Sequence, residues 1–400
     1  MNMKLSKAIQ NCYDDPMLRY RKLARRAQER GVEVIGLAQS QPDSSTSDVF
    51  FAAAGAYVPE KLDYAPAKGL SIMAEALQNF YRRRGMNYAL GDILVTAGAS
   101  EALMFAMQCI LDPDSEVIVP EPFYQSLRTV ITVCGGQIRP LFTTPEENYR
   151  YATREKIEPL LTPETRAILL CNPCNPTGQV LTRAEMQVIA DIVKERDLWL
   201  IVDETYREFV YDGEADSFGQ FPAIEQQVVL VDSASNSFSL GGARVGALIT
   251  KNREFMRAAG KLAQARRSVA TLNQVAAAEL YLMDDSAFVS RRADYVRRRD
   301  LCLEAMRAIP GVVCAEPRGA LFLMARLPVD DTGRFQQWLL EEFDLDGETV
   351  LLAPGSCFYS TYGCGKSEVR ISYVVEEKTL LRAMEILAEA LRRYPGALRG

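Results

Sequence analysis

Short apolar runs without polar alternation recur along the chain: ILVTAG (93–98), EVIVPEP (116–122), RAILLCNP (166–173), LWLIVDE (198–204), VVLVDSAS (228–235) and RVGALIT (244–250). Rich in Val, Ile and Leu, they suit strands buried on both faces of a mostly parallel sheet, since a sheet with one wet face would show alternation. Amphipathic segments separate them, for example 100–111 and 182–196, and the βαβα order predicts a three-layer α/β architecture. From about 285 the pattern changes. SAFVSRRADYVRRRDLCLEAMRAIP reads as one long helix, followed by the shorter strands LFLMARL and EVRISYVV and a closing helix near 378–393. The expected division is a large α/β domain over 46–285 and a smaller α+β domain built from 1–45 and 286–400.

Four hundred residues with 48% hydrophobic content can bury a core of this size, and the net charge of −6 argues against general nucleic-acid binding. The basic runs Arg82–Arg83–Arg84 and Arg297–Arg298–Arg299 read as solvated helix faces. The opening stretch MNMKLSKAIQNCYDDPM has no apolar core of signal-peptide length, and no run approaches a membrane span. Nine cysteines without framework spacing point to a reducing cytoplasm. Cys171-Asn172-Pro173-Cys174 is formally a C-x-x-C, but it has no second pair and the chain has no histidine, so a metal site is not expected. The missing imidazole also leaves proton transfer to Lys, Cys, Tyr or carboxylates.

The candidate chemistry lies at the carboxyl ends of the predicted strands, where open α/β sheets bind ligands. Gly98-Ala99-Ser100 opens a helix, whose first N–H groups and dipole can hold a phosphate; a serine there can equally be an ordinary cap. NPCNPTG (172–178) forces an extended, tightly turned loop directly after a strand. Asp203 ends an apolar strand, where a carboxylate needs a cation or a protonated heterocycle, and Tyr206 follows three residues on.

In this order, with G-x-S, P-x-Y, N-P-x-N-P-T-G, D-x-x-Y, S-x-S, R-x-G and a late arginine, the chain resembles the class I/II aminotransferases, fold-type I pyridoxal-phosphate enzymes, over nearly its whole length. DETYREFVYDG and FDLDGETV are similar to a bacterial aspartate-aminotransferase-like branch. The resemblance implies a mostly parallel seven-stranded sheet, a homodimer, and amino-group transfer between an amino acid and a 2-oxo acid. The implied cofactor is pyridoxal 5'-phosphate or pyridoxamine 5'-phosphate. Asp203 would keep the pyridine nitrogen protonated, Asn175 and Tyr206 would bond the phenolic oxygen, and Tyr124 would stack on the ring. Gly98, Ala99, Ser100, Ser233, Ser235 and Arg244 would surround the phosphate. Tyr64 would reach the phosphate of the neighbouring subunit, with a buried core tyrosine as its second reading. Arg370 would clamp the substrate carboxylate, near Ser40 and Asn175.

Asn236 stands where this family has its Schiff-base lysine. An amide neither forms an imine nor carries a proton near neutrality, and losing a positioned proton carrier removes roughly 10²–10⁴ in rate. Other departures are Ser40, Cys174, Ser237, Cys357, and Ala74 in place of an arginine. Three readings follow: an ordinary aminotransferase carrying an inactivating Lys-to-Asn change, a divergent enzyme that holds its cofactor without a covalent link, and a non-catalytic binder of a ligand or partner. For the second, Tyr206, Tyr64, Lys68 and Cys357 are candidate substitute bases. Arg266 and Arg267 invite a dicarboxylate substrate but read more simply as solvated helix residues.

Overall fold

Each of the apolar runs becomes a strand in the computed structural model, which describes residues 4–213 and 215–398. The opening reading at Met1–Met3 and the last two positions of the expected 286–400 segment lie outside those residues. In chain order the strands are β1 (Glu33–Gly36), β2 (Ile93–Thr96), β3 (Glu116–Glu121), β4 (Gln137–Phe142), β5 (Thr165–Cys171), β6 (Trp199–Asp203), β7 (Val228–Ser233), β8 (Gly246–Ile249), β9 (Val313–Cys314), β10 (Phe322–Arg326), β11 (Glu348–Leu351), β12 (Ala353–Pro354) and β13 (Glu368–Ser372).

Seven of them form one sheet in the order β2-β8-β7-β6-β5-β3-β4. β8 runs antiparallel to both of its neighbours, and the other pairings are parallel. Every residue of β2, β7 and β8 is buried, as two covered faces require. Helices Ala99–Ile110 and Arg183–Glu195 fall where amphipathicity placed them, the second closed by a reciprocal Thr182–Glu185 capping box. β4 escaped the sequence reading. It is the sheet's edge, carries Arg139 and Pro140, and is mostly half-exposed, so it lacks the apolar run that marks its neighbours.

The long helix is Ser286–Arg307 and the closing helix Glu377–Arg393. They pack with a sheet of order β12-β13-β10-β9 and with the parallel pair β1-β11, which ties the N-terminal segment to this region. The basic runs are not solvated throughout. Arg84 is paired with Glu208 at 3.0 Å, Arg298 with Asp43 at 2.7 Å, and Arg299 donates to Pro317 O at 3.3 Å, all three side chains being largely covered. Acceptors from distant segments join the local carboxylates Asp294 and Asp300 around Arg298 and Arg299, and the distant ones have no signal in the local pattern.

Candidate active site

β5, β6 and β7 end side by side, and their last residues open into one cavity of about 290 Å³. That is close to the lower bound for small-molecule sites. Ser40, Ala99, Ser100, Tyr124, Asn175, Asp203, Tyr206, Ser233, Ser235, Asn236 and Arg244 all line it. Residues scattered over two hundred positions therefore converge on one space.

One end is built for an anion. Gly98 caps helix Ala99–Ile110 with φ of 81°, and a Cβ there would fall 2.5 Å from Arg244 Nη2, so conformation and close approach both require glycine. Arg244 donates to Ala97 O at 3.0 Å, Gly241 O at 3.1 Å and Ser235 Oγ at 3.3 Å. Ser233 Oγ donates to Ser235 Oγ at 2.8 Å and accepts from Ser235 N at 3.1 Å. A guanidinium, two hydroxyls and a twelve-residue helix N-terminus thus meet, the donor set a phosphate dianion needs.

The other end is carboxylate and phenol. Asp203 Oδ1 accepts from Thr205 N at 3.1 Å, and the group otherwise faces the cavity. Burial pushes its carboxyl up to about 6, with the Thr205 hydrogen bond opposing the rise. The unfolded chain has the ordinary value of 3.8, so between 3.8 and about 6 the native chain holds a proton that the unfolded chain has lost. Stability of the unliganded protein should therefore fall as pH rises through that window, by on the order of 3 kcal/mol. Denaturant titrations at pH 4 and pH 7 should show this slope in the unaltered protein and a flatter one in Asp203→Asn; equal slopes would contradict the assignment.

Tyr206 donates to Ser40 O at 3.3 Å and sits edge-on to Phe322. Burial raises its phenol far above the ordinary range, so it holds its proton at neutral pH. Arg370 does not line the cavity directly; it backs it. Its Nη1 donates to Asn175 Oδ1 at 2.8 Å and its Nη2 to Ala38 O at 2.7 Å, while the buried Nε has no protein partner. Burial lowers its guanidinium to about 10, still charged at pH 7.

Asn236 lines the cavity from the short helix Ala234–Ser237, and no lysine lies among the described lining residues. Of the candidate substitute bases Tyr206 lines the cavity, and Lys68, Cys357 and Tyr64 do not. Lys68 opens onto a separate groove with Asp92 and Arg257. Cys357 is buried outside the cavity, its thiol pushed up to about 12 by burial. Tyr64 is 75% exposed, which excludes the core reading, and does not face the cavity of its own chain. Arg266 corrects another reading. It is largely covered, pairs with Glu101 at 3.3 Å and donates to Ala67 O and Val95 O, because it braces the loop behind the anion end. Arg267 lies over the Tyr64 ring at 4.8 Å. Gln41, Leu103, Cys171, Thr205 and Gly241 line the cavity without having been singled out for it. Cys171 and Thr205 flank motif positions, which was their only signal.

A profile of the family described as "Aminotransferase class I and II" matches residues 32–387. The chain is 31% identical over 396 residues to the aspartate/prephenate aminotransferase of Thermus thermophilus, covering 97% of this chain and 99% of that one. It is 30% identical over 381 residues to the arginine–pyruvate transaminase of Pseudomonas aeruginosa, covering 93% of each. Among solved structures, the aspartate aminotransferase from Thermus thermophilus with maleate superposes with a TM-score of 0.88 at 30% identity, covering 97% of this chain and 100% of that one. The Rhizobium meliloti aspartate aminotransferase gives 0.89 at 27% identity, covering 98% and 100%.

Proposed function

The chain belongs to the class I and II aminotransferase family, whose aspartate-aminotransferase-like members use pyridoxal phosphate, and from that premise we propose that it binds pyridoxal or pyridoxamine 5'-phosphate non-covalently and acts on an amino acid/2-oxo acid pair. One observation carries the reading: the anion end and the Asp203 end meet in one cavity, Arg370 stands behind its Asn175 wall, and among the described residues the lining offers Asn236 and no amine. Ser233, Ser235, Arg244 and the Gly98–Ser100 turn would hold the phosphate. Asp203, with its raised proton affinity, suits a shared proton at the pyridine nitrogen. Tyr124 offers a ring face, and the Asn175 amide, its oxygen already taken by Arg370, has N–H groups left for a phenolic oxygen. The cofactor's contribution when bound is an electron sink for charge released at the substrate α-carbon.

The chain's residues then divide the labour. Arg370 binds and orients a carboxylate; the unpartnered Nε and the cation itself support that role. Asn236 neither tethers nor carries a proton. Tyr206 keeps its own proton, so turnover is slow for want of a base.

A second copy of the chain is part of the proposal. Helix Asp48–Ala56 buries none of its residues, and Phe51, Val58, Leu62 and Tyr64 are exposed together along that side. Such an apolar strip favours an interface, and Tyr64 on it could enter the partner's site. The division into 46–285 against 1–45 with 286–400 is likewise proposed, on the separate cores around the large and small sheets. The nine free cysteines support a reducing cytoplasm.

Absorbance titration with each cofactor form tests the reading. Saturation at one equivalent per chain is expected; failure of both forms to bind would leave only the non-catalytic partner-binding account.

A further inference from the structure

Glu121, the last residue of β3, is 1% exposed, and no basic side chain among the described residues pairs with it. Its two oxygens are met by a claw of neutral donors from the far end of the chain. Oε1 accepts from the backbone N–H of Ser360, from Ser360 Oγ at 2.5 Å and from Thr361 N at 3.1 Å, while Oε2 accepts from Thr361 Oγ1 at 2.8 Å. A buried carboxylate with four donors is a fully satisfied, rigid junction.

What the junction joins gives it meaning. Three residues beyond Glu121 is Tyr124, in the cavity wall. Two residues before Ser360 is Phe358, whose carbonyl accepts from Phe123 N at 2.9 Å and whose ring centroid lies 4.9 Å from the Arg370 guanidinium carbon. On the other side of the same loop, Tyr359 donates to Glu368 at 2.8 Å, and Glu368 lies two residues from Arg370 on β13. The loop behind the carboxylate-binding arginine is therefore fastened directly to the strand end that carries the ring platform.

We propose that Glu121 is a positioning residue: through Ser360 and Thr361 it fixes the distance between the Tyr124 ring face and the Arg370 clamp, and so sets affinity for the ligand carboxylate without touching ligand. This rests on the reading of the cavity given above. A methionine in place of Glu121 removes both accepting oxygens at nearly constant volume and leaves the Ser360 and Thr361 donors unmet.

The test compares two probes on the full-length protein: pyridoxamine 5'-phosphate, and phosphopyridoxyl-glycine, which adds only a carboxylate arm. Glu121→Met should weaken phosphopyridoxyl-glycine by about tenfold while pyridoxamine phosphate stays within about twofold. Ser360→Ala/Thr361→Val should do the same from the opposite side, and the combined variant should add little further, as expected for partners in one contact. Equal weakening of both probes, no change in either, or additive losses in a folded protein would each overturn the positioning role. If the unaltered protein binds neither probe, the cavity reading fails first, an outcome the control separates from failure of Glu121 alone.

Discussion

Asn236→Lys is expected to raise transamination by roughly 10²–10⁴, the contribution of a positioned proton carrier. Residue 236 lies in the cavity wall next to Ser235, which accepts from Arg244, so a side chain there starts beside the anion end. The rest of the constellation needs no rebuilding: Asp203 is in place at the carboxylate end and Arg370 is buried, charged and incompletely paired. Single-turnover measurement of amino-group transfer from several amino acids, with cofactor in excess, reads the gain. An unchanged rate in the lysine variant, with cofactor bound, would mean that the cavity is arranged for something other than proton transfer at an amino acid.

Arg370→Met should separate binding from stability. Removing one member of a buried, charge-assisted contact costs about 2–5 kcal/mol in binding, or roughly 30- to 5,000-fold for phosphopyridoxyl-glycine. The free protein should lose little, within about 1 kcal/mol, because burying the guanidinium is itself costly and a methionine fills a similar volume between Phe322 and Phe358. On the proposed reading the arginine is held ready for a ligand at the fold's expense. Thermal unfolding and the same titration decide it; a variant that melts far lower while binding the glycine conjugate normally would make Arg370 a structural residue.

The strands of the large sheet were legible because burial on both faces writes itself as an uninterrupted apolar run, with β7 the clearest case. β4 was not, since an edge strand carrying Arg139 and Pro140 has neither the run nor the alternation. Asp203 and Ser233 end β6 and β7, and Asn175 lies in the loop four residues past β5, so the apolar runs put all three at the carboxyl edge of the sheet, where they line the cavity. Those whose meaning comes from a distant partner could not. Arg266 looked like a surface residue until Glu101 and the carbonyls of Ala67 and Val95 were brought to it. Glu121 meets its donors 239 positions away, and nothing near it in the chain hints at them. Lys68 and Cys357 erred in the opposite sense: they lay close to motifs in sequence, yet neither side chain faces the cavity.

The loading titration, carried one step further, bears most directly on a B6 phosphate held without a tether. Protein saturated with pyridoxal 5'-phosphate is treated with borohydride, denatured and mapped by peptide mass. The expected result is one equivalent of cofactor bound before reduction and none left on any lysine afterwards. Stoichiometric pyridoxylation of a single lysine would contradict it.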